Sequence, residues 1–589
     1  MSDTVQNNPI VNPSGNMPVG VSDFAKLRQD DYCFVDKTLF IKEFLDVSAE
    51  VTLITRPRRF GKTINLDMLC RFLRQPASDK EDLFAGLAIS KAPQRYQQER
   101  GRRPVLFISF RTIKESCWKN AYTRMSLLLS SLAEKSSQDA PIDQLTEAQQ
   151  VTLQRVIHRQ ADSTECKGIL AILTQLLTLK HNGLAPWVAI DEHDAPMQAA
   201  YQYNYYKEMR DLMKGLLGDC LKDGPFLHRA ILTGILRVAK EDIFSELNNP
   251  GIYGVLDQPY ASRFGFTTHD IQQLLQQRGH ADRFELVRQA YDGYRFGTDQ
   301  PLMIYNPWSV INDLCKPTAQ PGLHWVNTSD NSLIRQLLTQ ADAEVKEGLH
   351  ELLSAATHHT TTQFVKEHVP LREMRGDPKN LWGLLLASGY LTAAQARENP
   401  DADNKIVQLC IPNNEVRRLY TGLVTEWLTG PARGISGIKL VETLVQGQVQ
   451  EFADYFARFA LQSVSYFDQG GEQPERFYHG FVLGMMQHLQ DRYIVDSQRE
   501  SGLGRYDLAL EPKDKTLPGF VMEFKTCIGD IASLNDTAQQ ALQQIQDRQY
   551  HVDLAKRGVK QIIALGFSFA GKQVAIAHKT LTEPAGPQL

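Results

Sequence analysis

Three side chains toward the C-terminal end, Asp507, Glu523 and Lys525, have the types and spacing of a site that could hydrolyse a phosphodiester. Glu523 and Lys525 stand two apart in the run Phe520-Val521-Met522-Glu523-Phe524-Lys525, and residues two apart in a strand share a face. Asp507 belongs to the earlier run Tyr506-Asp507-Leu508-Ala509-Leu510. Alternation in both runs, with Glu511-Pro512-Lys513-Asp514-Lys515 between them, predicts a β-hairpin with a polar turn that brings Asp507 to the other two. Paired carboxylates suit a hard cation such as Mg²⁺ or Mn²⁺. Lys525 would orient or activate the attacking water, and metal and lysine together would neutralise charge on the phosphoryl and leaving oxygens. The competing reading of these three residues alone is a solvated strand face with a cross-strand ion pair. Gln546 and Tyr550, four apart, are expected on one face of a following helix. His479, four after Glu475, is a further candidate metal ligand or substrate contact.

A second constellation lies near the other end. Val51-Thr52-Leu53-Ile54 reads as a buried strand that runs into Thr55-Arg56-Pro57-Arg58-Arg59-Phe60-Gly61-Lys62-Thr63. Its second half fits GxxxxGK[ST], where backbone N–H groups cradle phosphates, the lysine reaches the β and γ oxygens, and the hydroxyl holds Mg²⁺. Gly61, Lys62 and Thr63 take those places, with Arg59 beside them. Arg56 stands where the first glycine would be, and Pro57 has no N–H to donate. Helical spacing over 64–73 completes a strand-loop-helix order in which a helix N-terminus receives phosphate. Downstream, Trp187-Val188-Ala189-Ile190 ends in Asp191, a candidate for the metal, and Glu192, a candidate for polarising the hydrolytic water. Thr233 ends another apolar run as a candidate γ-phosphate sensor, and Arg237 follows as a candidate charge-stabilising finger. Taken singly, each is a core strand capped by a solvated charge. In this order, behind a GKT sequence, they argue for an ATP site.

These residues also carry a family resemblance. Gly20-Val21-Ser22-Asp23-Phe24, Phe34-Val35-Asp36-Lys37-Thr38, the Arg-Pro-Arg-Arg-Phe-Gly-Lys loop, Ile190-Asp191-Glu192-His193-Asp194-Ala195-Pro196 and Ser245-Glu246-Leu247-Asn248-Asn249 resemble AAA-ATPase-like proteins that carry a C-terminal PD-(D/E)XK nuclease domain. Tyr291 to Gly297 and Ile304 to Ser309 extend the likeness through the middle. The resemblance makes Arg56 a trait of the loop. It matches Asp507 and Glu523-Phe524-Lys525 to the nuclease acids and E-x-K, with Tyr506 in place of the usual proline. Gly504-Arg505-Tyr506-Asp507, Gln546 and Tyr550 fit the branch found beside ATPase modules. A tyrosine commonly stands where His193 is. The resemblance implies a nucleotide-driven or nucleotide-gated nuclease of prokaryotic type, with a link to mobile elements or defence.

A chain of 589 residues exceeds one hydrophobic core. The fold class expected is α/β: a flexible tail over 1–16, a P-loop doubly wound parallel sheet over 17–268, a helical or winged-helix connector over 269–439, and a PD-(D/E)XK-like α/β domain over 440–589. The connector is read from helical periodicity over 270–290, 331–353, 381–392 and 408–428. Trp308 and Trp325 within it are candidates for base stacking, with core packing the more ordinary role. Hydrophobic and charged fractions of 42% and 22% are those of a globular protein. No apolar run has the length of a membrane span, and the eight cysteines stand singly, so a reduced cytoplasmic setting is expected. The net charge of -4 weighs against a broadly basic nucleic-acid surface, which leaves local clusters such as Arg95 to Arg103. The expected activity is an ATP-binding and ATP-hydrolysing protein that gates or drives a Mg²⁺-dependent nuclease on nucleic acid, DNA first. The alternative is a signalling ATPase whose C-terminal domain binds nucleic acid without cutting. The sequence leaves homo-oligomerisation open, since P-loop ATPases often complete their sites across subunits.

Overall fold

The protein is described here by a computed structural model covering residues 8–75, 82–222, 224–237, 250–318, 321–325, 332–339, 360–367, 378–400, 404–420, 437–463, 492–497, 504–527, 533–570 and 573–581, with isolated positions between them. Its contacts divide the chain into two units, Met1–Ile334 with Thr362–Val416, and Arg335–Thr361 with Arg417–Leu589.

The first unit is organised by a five-stranded sheet of β1 (Val51–Thr55), β2 (Val105–Ser109), β3 (Trp187–Asp191), β4 (Arg229–Gly234) and β5 (Gly251–Tyr253), in the order β2-β3-β4-β1-β5 with every pair parallel. β1 and β3 are buried at every residue. That is why they read as continuous apolar runs: a parallel strand covered on both faces has no solvent side to mark. Parallel direction also puts the C-terminal residues Thr55, Ser109, Asp191 and Gly234 on one edge, with Thr55 paired to Gly234 and Ser109 to Asp191. Helix α1 (Lys62–Arg74) leaves β1 from that edge and buries Leu66, Leu69, Phe72 and Leu73.

The segment expected as a loose tail is partly an edge strand. Ile10 pairs with Val35 and Val11 with Phe34, while Arg278 donates to the carbonyls of Pro13 and Gly15 at 2.7 and 2.8 Å. The Asp36-Lys37-Thr38 run is buried structure: Lys37 pairs with Asp270 at 2.6 Å, and Asp36 accepts the Thr38 N–H and hydroxyl. The periodic stretch 270–290 is two helices, α2 (Thr268–Gln277) and α3 (Phe284–Tyr291), because Gly279 turns the chain at a φ of +73°. The middle also holds strands, which a winged-helix connector would include and a purely helical one would not. They are β6 (Phe266–Thr267), β7 (Tyr294–Phe296) and β8 (Leu302–Tyr305) in one sheet, and the pair β9 (Thr392–Glu398) and β10 (Lys405–Cys410) in another. Along β10, Val407 and Leu409 are buried between less buried neighbours, a period-two pattern hidden beside the helix Pro378–Ser388.

The second unit carries β11 (Tyr493–Ser497), β12 (Leu508–Pro512), β13 (Gly519–Thr526), β14 (Ile562–Ala570) and β15 (Gln573–Leu581) in that order, antiparallel except for the parallel pair β13 and β14. Its two faces differ in residue size. Leu508, Leu510, Phe520, Met522, Phe524, Phe567 and Phe569 form one core with Phe452 and Phe456. Ala509, Val521 and Ala564 pack on the other face with Ala538, Leu542 and Ile545 of α4 (Leu534–Asp547). Gly566 permits the close approach of α4, because a Cβ there would stand 2.4 Å from both the Ala538 carbonyl oxygen and the Leu542 nitrogen.

Candidate nucleotide and phosphodiester sites

The loop between β1 and α1 turns into the helix at Gly61, whose φ of +84° is a left-handed value. An added Cβ would come no closer than 3.6 Å to Ile64, so torsion and not space demands the glycine. Gly61 caps α1 without a side-chain hydrogen bond, which leaves the first helical N–H groups facing the loop for an anion. Lys62 is buried, and its ammonium donates to the carbonyls of Arg56 and Pro57 at 2.9 Å each. Burial pulls its pKa down to about 8, against the attraction of Glu192, Asp194 and Asp191.

Next to it, the Thr63 hydroxyl donates to Asp191 at 3.0 Å and the Thr233 hydroxyl donates to the other Asp191 oxygen at 2.8 Å. Ser109 approaches the same carboxylate at 3.4 Å and was missed in the sequence, where nothing marks the end of β2 as a site. Glu192 follows at a φ of +50°, a strained value for a glutamate, and lies 3.7 Å from Lys114. Lys62, Thr63, Asp191, Glu192 and Thr233 therefore meet at one strand edge. Arg237 takes a different partner, an ion pair with Glu367 at 3.6 Å.

Arg56 explains the missing first glycine. Its guanidinium is fully buried and donates to the carbonyls of Thr55, Tyr253 and Gly254 at 2.8, 3.1 and 2.6 Å and of Pro259 at 3.3 Å. Phe264 and Phe296 lie within 5.5 and 5.1 Å of it. Desolvation lowers its pKa to about 10, still well above neutrality, so Arg56 fastens the loop to the sheet as a cation. The Arg95 to Arg103 cluster is likewise used by the fold. Arg100 pairs with Asp82 at 2.6 Å, Arg102 with Glu99 at 2.7 Å, Arg95 with Asp46 at 3.4 Å, and Arg103 donates to the Ala185 carbonyl at 3.3 Å.

In the second unit, β12 and β13 form the expected hairpin, with Leu508 opposite Met522. β12 extends through Pro512, so Glu511 is a buried strand residue held by Lys515 and Arg557 at 2.7 and 2.6 Å, where the sequence suggested a turn. Burial opposes ionisation of Glu511, but the two cations hold its pKa below the usual range. Asp507 lies one residue before β12 and accepts the Phe524 N–H at 2.8 Å. That bond holds its carboxylate against the backbone of β13 at the residue between Glu523 and Lys525. Glu523 is 6% exposed and accepts a hydrogen bond from Gln544 on α4, a partner the sequence did not single out.

Gln546 instead donates to the Leu542 carbonyl and accepts from Lys579 at 2.7 Å. The expected helix face with Tyr550 does not form. α4 ends at Asp547, Gln549 adopts a φ of +55°, and Tyr550 packs against Tyr506 beyond the helix end. His479, Glu475 and the Ser245-Glu246-Leu247-Asn248-Asn249 run lie outside the described residues.

As for a metal, Asp507 and Glu523 are an all-oxygen pair, and no group of three or more His, Cys, Asp or Glu forms a site among the described residues. Two carboxylates leave the other positions to water, backbone and substrate oxygens, which fits Mg²⁺.

Comparisons with known proteins agree with this division of chemistry. Residues 18–244 match the family model described as "Predicted AAA-ATPase", and residues 473–579 match that of the "PD-(D/E)XK nuclease superfamily". A protein of Azotobacter chroococcum mcd 1, described as "Uncharacterized protein in vnfD 5'region", is 25% identical over 565 residues, covering 94% of this chain and 96% of its own. No helix among the described residues is long and apolar enough to cross a membrane. The chain thus carries an N-terminal segment similar to predicted AAA-ATPases and a C-terminal segment similar to the PD-(D/E)XK nuclease superfamily.

Proposed function

We infer that this protein binds and hydrolyses ATP at the Lys62 loop and that nucleotide turnover gates a Mg²⁺-dependent nuclease centred on Asp507, Glu523 and Lys525, with DNA as substrate. The observation that carries the nucleotide half is the convergence of Lys62, Thr63, Asp191 and Thr233 at the edge where α1 begins. Lys62 would exchange its two carbonyl partners for phosphate oxygens. Thr63 and Asp191 would hold Mg²⁺, which supplies charge neutralisation at the phosphates. Glu192 would orient the attacking water, and Thr233 keeps Asp191 in place. A cavity of about 120 Å³, bordered by Met17, Val21, Gly61, Ile64 and Met68, supports a base-binding role beside the loop.

The nuclease half is carried by the Asp507 to Phe524 hydrogen bond, which puts the first acid against the E-x-K strand. Asp507 and Glu523 would hold the divalent ion, whose chemistry is to neutralise charge on the phosphodiester. Lys525, on the face of Glu523, would orient the water, and Gln544 would keep Glu523 aimed. The three-domain division at 17–268, 269–439 and 440–589 remains part of this proposal. Cleavage of mixed DNA and RNA by the full chain, in Mg²⁺ or Mn²⁺ with and without ATP, tests it against Asp507→Ala. Equal cutting by both proteins, or no cutting by either, would refute the nuclease. Cutting indifferent to ATP would refute the gating.

A further inference from the structure

Four consecutive residues of the Lys62 loop each touch a different residue from the middle of the chain. Pro57 lies under Gly389, where an added Cβ would stand 2.8 Å from the proline ring. The Arg58 carbonyl accepts the Trp325 indole N–H at 3.1 Å. The Arg59 guanidinium stacks over Trp308, 4.2 Å from the ring centroid. Phe60 meets Tyr294 edge-on at 4.9 Å. These partners are tied to one another. Buried Glu415 accepts the Trp325 backbone N–H at 2.6 Å and the Ser309 hydroxyl at 2.7 Å, and the Trp308 indole donates to the His324 carbonyl at 3.2 Å.

Within this shelf the loop is folded on itself. Lys62 satisfies the loop's own carbonyls, and Arg59 holds a left-handed φ of +67° with its charge against an indole face. A phosphate entering the loop competes for both cations. It cannot take them without disturbing contacts at residues 57 to 60, because packed aromatic shelves switch between arrangements and do not stretch.

We propose that Trp308, Trp325 and Glu415 form a receiver for nucleotide occupancy: the terminal phosphate of a nucleoside triphosphate draws Arg59 off Trp308, and the shelf responds as a unit. The proposal rests on the nucleotide-binding reading above. Because the shelf holds Lys62 on the loop's own carbonyls and Arg59 on Trp308, loosening it frees both cations for phosphate and tightens binding.

The test combines calorimetric titration of the full-length protein with Mg-ATP and the tryptophan emission change on binding. Wild type is compared with Trp308→Leu and with Trp308→Phe, which keeps an aromatic face. The expected result is a nucleotide-dependent emission change in wild type that is lost in Trp308→Leu, with binding about threefold or more tighter in Trp308→Leu and near wild type in Trp308→Phe. Unchanged affinity in Trp308→Leu together with a retained emission change would overturn the receiver and leave nucleotide binding intact. Absence of calorimetric binding in wild type would instead overturn the nucleotide reading, and the receiver with it. If Trp308→Leu does not fold, Arg59→Lys serves: loss of the emission change with calorimetric binding retained supports the proposal, and retention of the emission change with unaltered affinity refutes it.

Discussion

Thr63 donates its hydroxyl to Asp191 at 3.0 Å, linking the first turn of α1 to the end of β3 across the intervening strand β4. The two residues that would share Mg²⁺ are thus already in contact. Thr63→Ala removes that oxygen and should lower ATP turnover by on the order of 10- to 100-fold, whereas Thr63→Ser should remain near wild type. A phosphate-release assay over a Mg²⁺ titration checks this, and equal turnover in Thr63→Ala would discount the role.

The pKa of Lys62, lowered to about 8 by burial, sets a pH dependence for nucleotide binding. The ammonium is present below about pH 8 and lost above it, so ATP affinity should fall as pH rises through 8 to 9. Phosphate favours the charged form, so binding in that window should take up a proton. Calorimetry in two buffers of different ionisation enthalpy reads the uptake. For stability the sign is opposite. The folded chain holds this proton less tightly than the unfolded one, so this group adds stability between about pH 8 and the ordinary lysine range as pH rises.

Restoring the missing glycine by Arg56→Gly should not improve nucleotide binding. It removes a buried cation that satisfies four carbonyls, and it should destabilise the first unit by about 3–5 kcal/mol. Thermal unfolding followed by circular dichroism measures the loss, and an unchanged midpoint would show that the site tolerates a standard loop.

Asp507→Asn separates charge from architecture at the second site. An amide oxygen can still accept the Phe524 N–H, so the fold should persist, while metal-dependent cleavage should fall by about 100-fold or more. A variant with wild-type cutting would remove Asp507 from the proposed metal site.

Gln544→Ala should reduce cleavage about tenfold by releasing Glu523, and Gln546→Ala should do less, since Gln546 is engaged by Lys579. Side-by-side initial rates at saturating Mg²⁺ decide between the two glutamines. A larger effect at Gln546 would favour the sequence reading over the geometry.

The sequence by itself determined what is local. Continuous apolar runs announced β1 and β3 because parallel strands are buried on both faces, and period-two alternation announced the β12–β13 hairpin. As candidates, Asp191, Asp507, Glu523 and Lys525 stood out because strand periodicity sets them at a strand end or on a strand face, and Lys62 and Thr63 because they follow the glycine that opens α1. Only the tertiary structure decided the long-range assignments. That Arg56 is a buried fastener depends on carbonyls about two hundred residues away, and that Gln544 and not Gln546 reaches Glu523 depends on how α4 settles over Gly566. Tyr550 left the predicted face because a left-handed residue ends the helix first, a torsion that four-residue spacing cannot report. Within the basic run from Arg95 to Arg103, only the fold brought Asp82 to buried Arg100 and Asp46 to Arg95, while Arg95 and Arg102 stay on the surface.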